Sequence, residues 1–145
     1  MTERVRVYTV SEANAALPRL NVIMERQMDV LKRIDETSEA MRQRGADPQY
    51  IEAAPTDAGE VAELKSRLRD LLGEFREGWR EVETMGAVVK DSRLGLIDFY
   101  GRRGGALVWL CWKYGEPAVS HWHPLDQGFA ARKPLERDSI PPTLN

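Results

Sequence analysis

Apolar residues recur along the first third of the chain at Leu17, Leu20, Met24, Leu31, Ile34 and Met41, with Gln27 and Ser38 as polar members of the same row. The spacing alternates between three and four, which draws a stripe down one side of an α-helix. Thr9 and Glu12 precede the stripe at capping-box spacing, where each side chain satisfies a free backbone N–H at a helix start. Pro18 lies too deep for the first turn and predicts a kink; the alternative is a short helix followed by a longer one that Pro18 opens. Residues 44–59 break the pattern at Gly45, Pro48, Pro55 and Gly59. Asp57 and Glu60 then offer a second capping box, and Val61, Leu64, Leu68, Leu71, Phe75, Val82 and Met85 repeat the seam, interrupted at Gly78. Two helices of similar length on a modest linker predict an antiparallel hairpin over about 10–85. Its stripes must be covered by each other, by a sheet or by a second chain.

After Gly86 the period changes to two. Ala87–Lys90, Leu96–Tyr100, Ala106–Tyr114 and Ala118–His123 read as strands, the last three as an antiparallel meander. Arg4–Tyr8 alternates as well and predicts a short N-terminal strand. A two-residue turn at Gly115-Glu116 would set Trp112 against Val119, Leu110 against His121 and Val108 against His123. A five-residue loop 101–105 would set Leu107 against Phe99 and Val108 against Asp98. One face then carries Ile97, Phe99, Leu107, Trp109, Cys111 and Trp122 and meets the helices. The other carries Asp98, Tyr100, Val108, Leu110, Trp112, Tyr114, Val119, His121 and His123. The expected architecture is α+β: a long helical hairpin packed on a small antiparallel meander over about 87–123. It forms a single domain over 1–134 with a flexible tail at 135–145.

Composition narrows the function. The 145 residues are 42% hydrophobic and 30% charged, with a formal net charge of -2. Near-neutrality disfavours a protein devoted to a polyanion. No apolar run has the length of a membrane span or a signal peptide. The single cysteine forms no intrachain disulfide, which fits a reducing cytoplasm.

The last third holds three of the four tryptophans and both histidines. His121 and His123, two apart on a strand, share a face at about 7 Å between Cα atoms. With Asp98 on the same face and Glu116 at the adjoining turn, they form a candidate site for zinc, iron or manganese. Asp98 is disfavoured inside a strand unless it gains a partner, such as Arg102, Arg103 or a histidine. Cys111, expected inward among apolar neighbours, should keep its proton and stay inert. Arg102 and Arg103, on a glycine-rich tip, are forks suited to phosphate or carboxylate.

In order along the chain, Tyr8-Thr-Val-Ser-Glu-Ala-Asn14 with Leu17-Pro18, Gly95-Leu-Ile-Asp-Phe99, Leu110-Cys-Trp112, Gly115-Glu-Pro117, Trp122-His123 and Gly128-Phe-Ala130 resemble domain-of-unknown-function family 2203. This is a family of small bacterial and archaeal proteins, and the match covers nearly the whole chain. The family pattern continues with Gly-Arg and a proline, whereas Ala131-Arg132-Lys-Pro134 stands here. The resemblance implies membership rather than a reaction, and it marks Asp98, Trp112, Glu116, Trp122, His123 and Arg132 as motif positions.

Three functions compete. The first is a non-catalytic binding or assembly module that dimerises through its hairpin and presents Asp98, Trp112, Glu116, Trp122 and Arg132 to a small ligand or partner. The second is a metal-dependent hydrolytic or redox enzyme built on His121, His123, Asp98 and Glu116. The third binds a nucleotide or single-stranded nucleic acid through Arg102 and Arg103. Whether any reaction is catalysed is left open by the sequence.

Overall fold

Two long helices are followed by a five-stranded antiparallel sheet in the computed structural model, which describes residues 5–135. Helix α1 spans Val10–Gln43 and α2 spans Gly59–Thr84. The strands are β1 (Ala87–Asp91), β2 (Leu96–Arg103), β3 (Ala106–Lys113), β4 (His121–Pro124) and β5 (Lys133–Pro134), hydrogen-bonded in that order. The described residues divide into two units: Glu25–Arg80, and the residues up to Met24 together with those from Glu81 onward. Among the described residues no helix is long and apolar enough to cross a membrane.

In the Glu25–Arg80 unit the helices form the predicted hairpin. Val30, Ile34 and Met41 of α1 meet Leu68 and Leu71 of α2, with Leu64, Leu72 and Phe75 packed around them. Along α1 the seam departs from the predicted row where Val30 is buried and Leu31 only half-buried, and along α2 Val61, Leu64 and Phe75 of the predicted row are half-buried as well. A straight helix drifts about 20° per heptad against a strict seven-residue repeat, so the buried row slides to the neighbouring position. Gln27 is fully buried, and its Nε2 donates to the Phe75 carbonyl at 2.7 Å. Gly78 makes that fit possible, because a Cβ there would stand 1.9 Å from Gln27 Oε1.

The helix starts differ from each other. At α1, Thr9 N–H donates to Glu12 Oε1 at 2.9 Å and Glu12 N–H to Thr9 Oγ1 at 3.0 Å, completing the predicted capping box. The helix then continues through Pro18 as one element. At α2 the expected Asp57–Glu60 box does not form. Asp57 instead accepts from Ala54 N–H and from the largely buried Lys65 ammonium, while Glu60 pairs with Arg44. Lys65 also donates to the Glu52 carbonyl, so Asp57 fastens the linker to α2 rather than capping it.

In the other unit the sheet registers correct both predicted hairpins. The β2–β3 turn is the two-residue Gly104-Gly105, with φ of +58° and +83°, both in the left-handed region that glycine adopts without strain. Asp98 therefore opposes Cys111, and Phe99 opposes Leu110. Gly101 lies in the strand, where Leu110 packs so closely that a Cβ would come within 2.7 Å of it. Between β3 and β4 the chain takes a longer loop instead of a two-residue turn. Trp109 opposes His123, Leu110 opposes Trp122 and Cys111 opposes His121. Of the predicted N-terminal strand, Arg4 lies outside the described residues, and Val7 makes a single parallel bridge to Tyr100. The predicted tail lies outside them beyond Leu135.

The sheet thus has one face with Ile97, Phe99, Leu110, Trp112 and Trp122, and another with Asp98, Tyr100, Trp109, Cys111, His121 and His123. Tyr8 packs edge-on against Phe99, with ring centroids 4.8 Å apart, and its hydroxyl donates to the Met85 carbonyl. Val10 shares a cavity wall with Leu110 and Trp122, so the start of α1 lies over the first face. Asn14 Oδ1, one turn on, accepts from Val119 N–H at 2.8 Å.

Candidate functional site

On the face turned away from α1, three side chains of different chemistry converge. Asp98 from β2, Cys111 from β3 and His123 from β4 bring one potential ligand atom each to within 4.8 Å of the others. Asp98 and Cys111 are 1% exposed and His123 is 2% exposed. Asp98 and Cys111 meet because they are direct cross-strand partners. His123, opposite Trp109 and so two residue pairs along β3 from Cys111, reaches back diagonally so that its Nε2 lies 2.8 Å from Asp98 Oδ2.

The histidine is oriented from its other side. Nδ1 lies 3.1 Å from the carbonyl oxygen of Pro124. A carbonyl only accepts, so Nδ1 carries a proton and Nε2 is the nitrogen turned toward Asp98. A single further proton joins Nε2 and the carboxyl, held by one or the other. Burial pushes the Asp98 carboxyl above its ordinary value, against the attraction of His123 and the hydrogen bonds from Cys111 and His123. Burial likewise pushes the Cys111 thiol up to about 12, reinforced by the neighbouring Asp98 carboxyl and opposed by Arg132. Cys111 is a thiol at neutral pH in the unliganded protein, as expected from the sequence, although it lies on the face opposite to the expected one.

Residues 124–135 close this face. Trp109 Nε1 donates to the Leu125 carbonyl, and after a 3₁₀ turn at Phe129–Ala131 the chain returns as β5. Arg132 grips Glu116 with both terminal nitrogens, at 3.0 and 2.8 Å, stacks on Phe129 at 4.2 Å and reaches Cys111. Glu116 also accepts from the Lys113 backbone N–H at 2.7 Å. Burial works to raise the Glu116 pKa, but the Arg132 and Lys113 hydrogen bonds outweigh it and hold the carboxyl below its ordinary value.

The sequence-derived candidates are therefore redistributed. Asp98 and His123 come together as expected. His121 stands in the same row but is half-buried, with Nδ1 3.0 Å from Ser120 Oγ. Glu116 is committed to Arg132. Trp112 is fully buried on the opposite face and donates to the Glu116 carbonyl at 3.0 Å. Trp122 is on that opposite face too, beneath the Arg103 guanidinium at 4.6 Å. Cys111 was missed as a site residue. A Gly104-Gly105 turn, read for its two adjacent glycines, would have paired it with Asp98.

Fold and site together define a class: a small α+β protein whose two-helix hairpin is followed by an antiparallel meander with a buried Asp–Cys–His cluster. The family model described as "Uncharacterized conserved protein (DUF2203)" matches residues 6–135, and the chain belongs to that family. No curated protein and no solved structure matches it.

Proposed function

We propose that the protein is a non-catalytic metal-binding module that holds one zinc ion through Asp98, Cys111 and His123. The observation that carries this reading is the orientation of His123. Its Nδ1–H is anchored on a backbone carbonyl while Nε2 is aimed at two other ligand types. Metal-ligating histidines are held this way, with the outer nitrogen fixed by a carbonyl or carboxylate.

The donor set fits the ion in charge and in size. A carboxylate, a thiolate and a neutral imidazole around a divalent cation sum to zero, so the loaded site leaves no net charge in a buried position. Sulfur with imidazole favours zinc over manganese. Tetrahedral zinc separates its ligand atoms by about 3.3–3.6 Å, so Asp98 and His123, now 2.8 Å apart, would part by about half an ångström while the widest separation in the cluster, within 4.8 Å, would close by up to about 1 Å. Catalysis is disfavoured because all three groups are sealed beneath residues 124–135, whereas a catalytic zinc keeps an open position for substrate.

Metal analysis of protein purified without a histidine tag tests the reading. One equivalent of zinc is expected, reduced at least tenfold in Cys111→Ser and His123→Gln variants that keep the wild-type circular dichroism. A folded wild-type protein that takes up no zinc at micromolar concentration, or variants that bind it as well as wild type, would overturn it.

A further inference from the structure

Asp98, Cys111 and His123 leave a non-catalytic zinc one ligand short, because structural zinc sites are almost always closed by four. The fourth group has to reach the same face of the sheet, and it has to be neutral if the loaded cluster is to carry no net charge. Glu116 is poorly suited. It would add a negative charge, and Arg132 already donates to both of its oxygens, at 3.0 and 2.8 Å. Tyr100 is laid against the Trp109 ring, with centroids 4.1 Å apart.

His121 meets both conditions. Asp98 opposes Cys111 and Cys111 opposes His121, so the three form one row across β2, β3 and β4 with their side chains on the same face. His123 lies two residues along β4, on that face too. Directly opposed Cβ atoms are about 4.5–5.5 Å apart. A thiolate and an imidazole sharing one ion span such a gap, with bonds of about 2.3 and 2.0 Å. The ring now stands at the rim of the cluster, half-buried, with Ser120 Oγ 3.0 Å from Nδ1. Its Nε2 has no hydrogen-bond partner among the described residues. Glu116 lies within electrostatic reach of His121, and Arg132, which grips Glu116, touches Cys111.

We infer that His121 is the fourth ligand, its Nε2 turning inward from the rim to close a neutral Asp–Cys–His–His site around the zinc. The inference rests on the zinc reading of Asp98, Cys111 and His123 and completes its ligand set. X-ray absorption at the zinc edge counts the imidazoles in full-length, tag-free protein loaded with one equivalent of zinc. The chain has two histidines, so a count of two identifies both. Two are expected in wild type and one in His121→Ala, with zinc affinity lowered at least tenfold in that variant. Free imidazole at millimolar concentration should restore part of the loss, a rescue that a merely structural role would not allow. The wild-type count decides by itself should the variant not fold. One imidazole in zinc-loaded wild type, or a variant with unchanged spectrum and affinity, would overturn the fourth ligand and leave the three-ligand site standing. Wild-type protein that takes up no zinc would overturn both.

Discussion

His123 Nε2 lies 2.8 Å from Asp98 Oδ2 in a position where neither residue is more than 2% exposed. Such a pair is worth little against a well-packed apolar replacement, but removing one partner strands the other without its hydrogen bond. Asp98→Ala is expected to destabilise the metal-free protein by about 3–5 kcal/mol. The double variant Asp98→Leu with His123→Leu should recover most of that loss. Urea unfolding followed by circular dichroism checks both, and a loss below about 1 kcal/mol in the single variant would show that the pair is not coupled.

Two carboxyls in this unit should titrate with opposite signs. Asp98 is raised in the fold, so its contribution is fully present below the ordinary carboxylate value and disappears as pH climbs through the raised one. Glu116 is lowered, so its contribution is present above the ordinary value and disappears as pH falls through the depressed one. Stability measured against pH should therefore lose its alkaline-going decline in Asp98→Asn and soften its acid-side decline in Glu116→Gln. Identical profiles for the two variants would contradict the assignment.

Gly78→Ala should be destabilising although alanine favours helix. The new Cβ would stand 1.9 Å from Gln27 Oε1 and expel the amide that donates to Phe75. Loss of a buried hydrogen bond with repacking costs about 1–3 kcal/mol, more than the roughly 1 kcal/mol of helix propensity gained. In a Gln27→Ala background the same change should become neutral or stabilising. Thermal unfolding of the four combinations decides it.

Thr9→Ala removes the oxygen that accepts from Glu12 N–H and leaves half of the reciprocal box at the start of α1. The expected cost is about 1 kcal/mol, with faster amide exchange at Glu12 and Ala13 than in wild type. Exchange unchanged at both positions would mean that the cap contributes nothing.

These residues also show what the chain made legible. The helices could be read because caps and a three-four repeat are local signals, and Thr9 with Glu12 behaves as its spacing implies. Asp57 failed as a cap because Lys65, eight residues on, competes for it, and local spacing does not reveal that competitor. In the sheet, three glycines at 101, 104 and 105 offered several turns. Choosing the five-residue loop shifted β3 by three positions against β2, and the Gly115-Glu116 turn shifted β4 by one against β3. Each odd shift exchanges the two faces of the later strand. The errors cancelled for His123 against Asp98, which fall on one face as expected. They did not cancel for β3 between them, so Cys111 and Trp109 changed places with Leu110 and Trp112. The short β5 carried no alternating pattern, and the covering of the site by residues 124–135 was invisible for that reason.

Proton release on zinc binding tests the central claim most directly. At neutral pH the metal-free cluster holds one proton on the Cys111 thiol, pushed up to about 12, and one shared between Asp98 and His123. Zinc displaces both. Titrating zinc into weakly buffered protein with a pH indicator should therefore release close to two protons per ion, falling to about one in Cys111→Ser if that variant still binds. Zinc taken up with no proton released would place the ion on surface carboxylates and contradict a site at Asp98, Cys111 and His123.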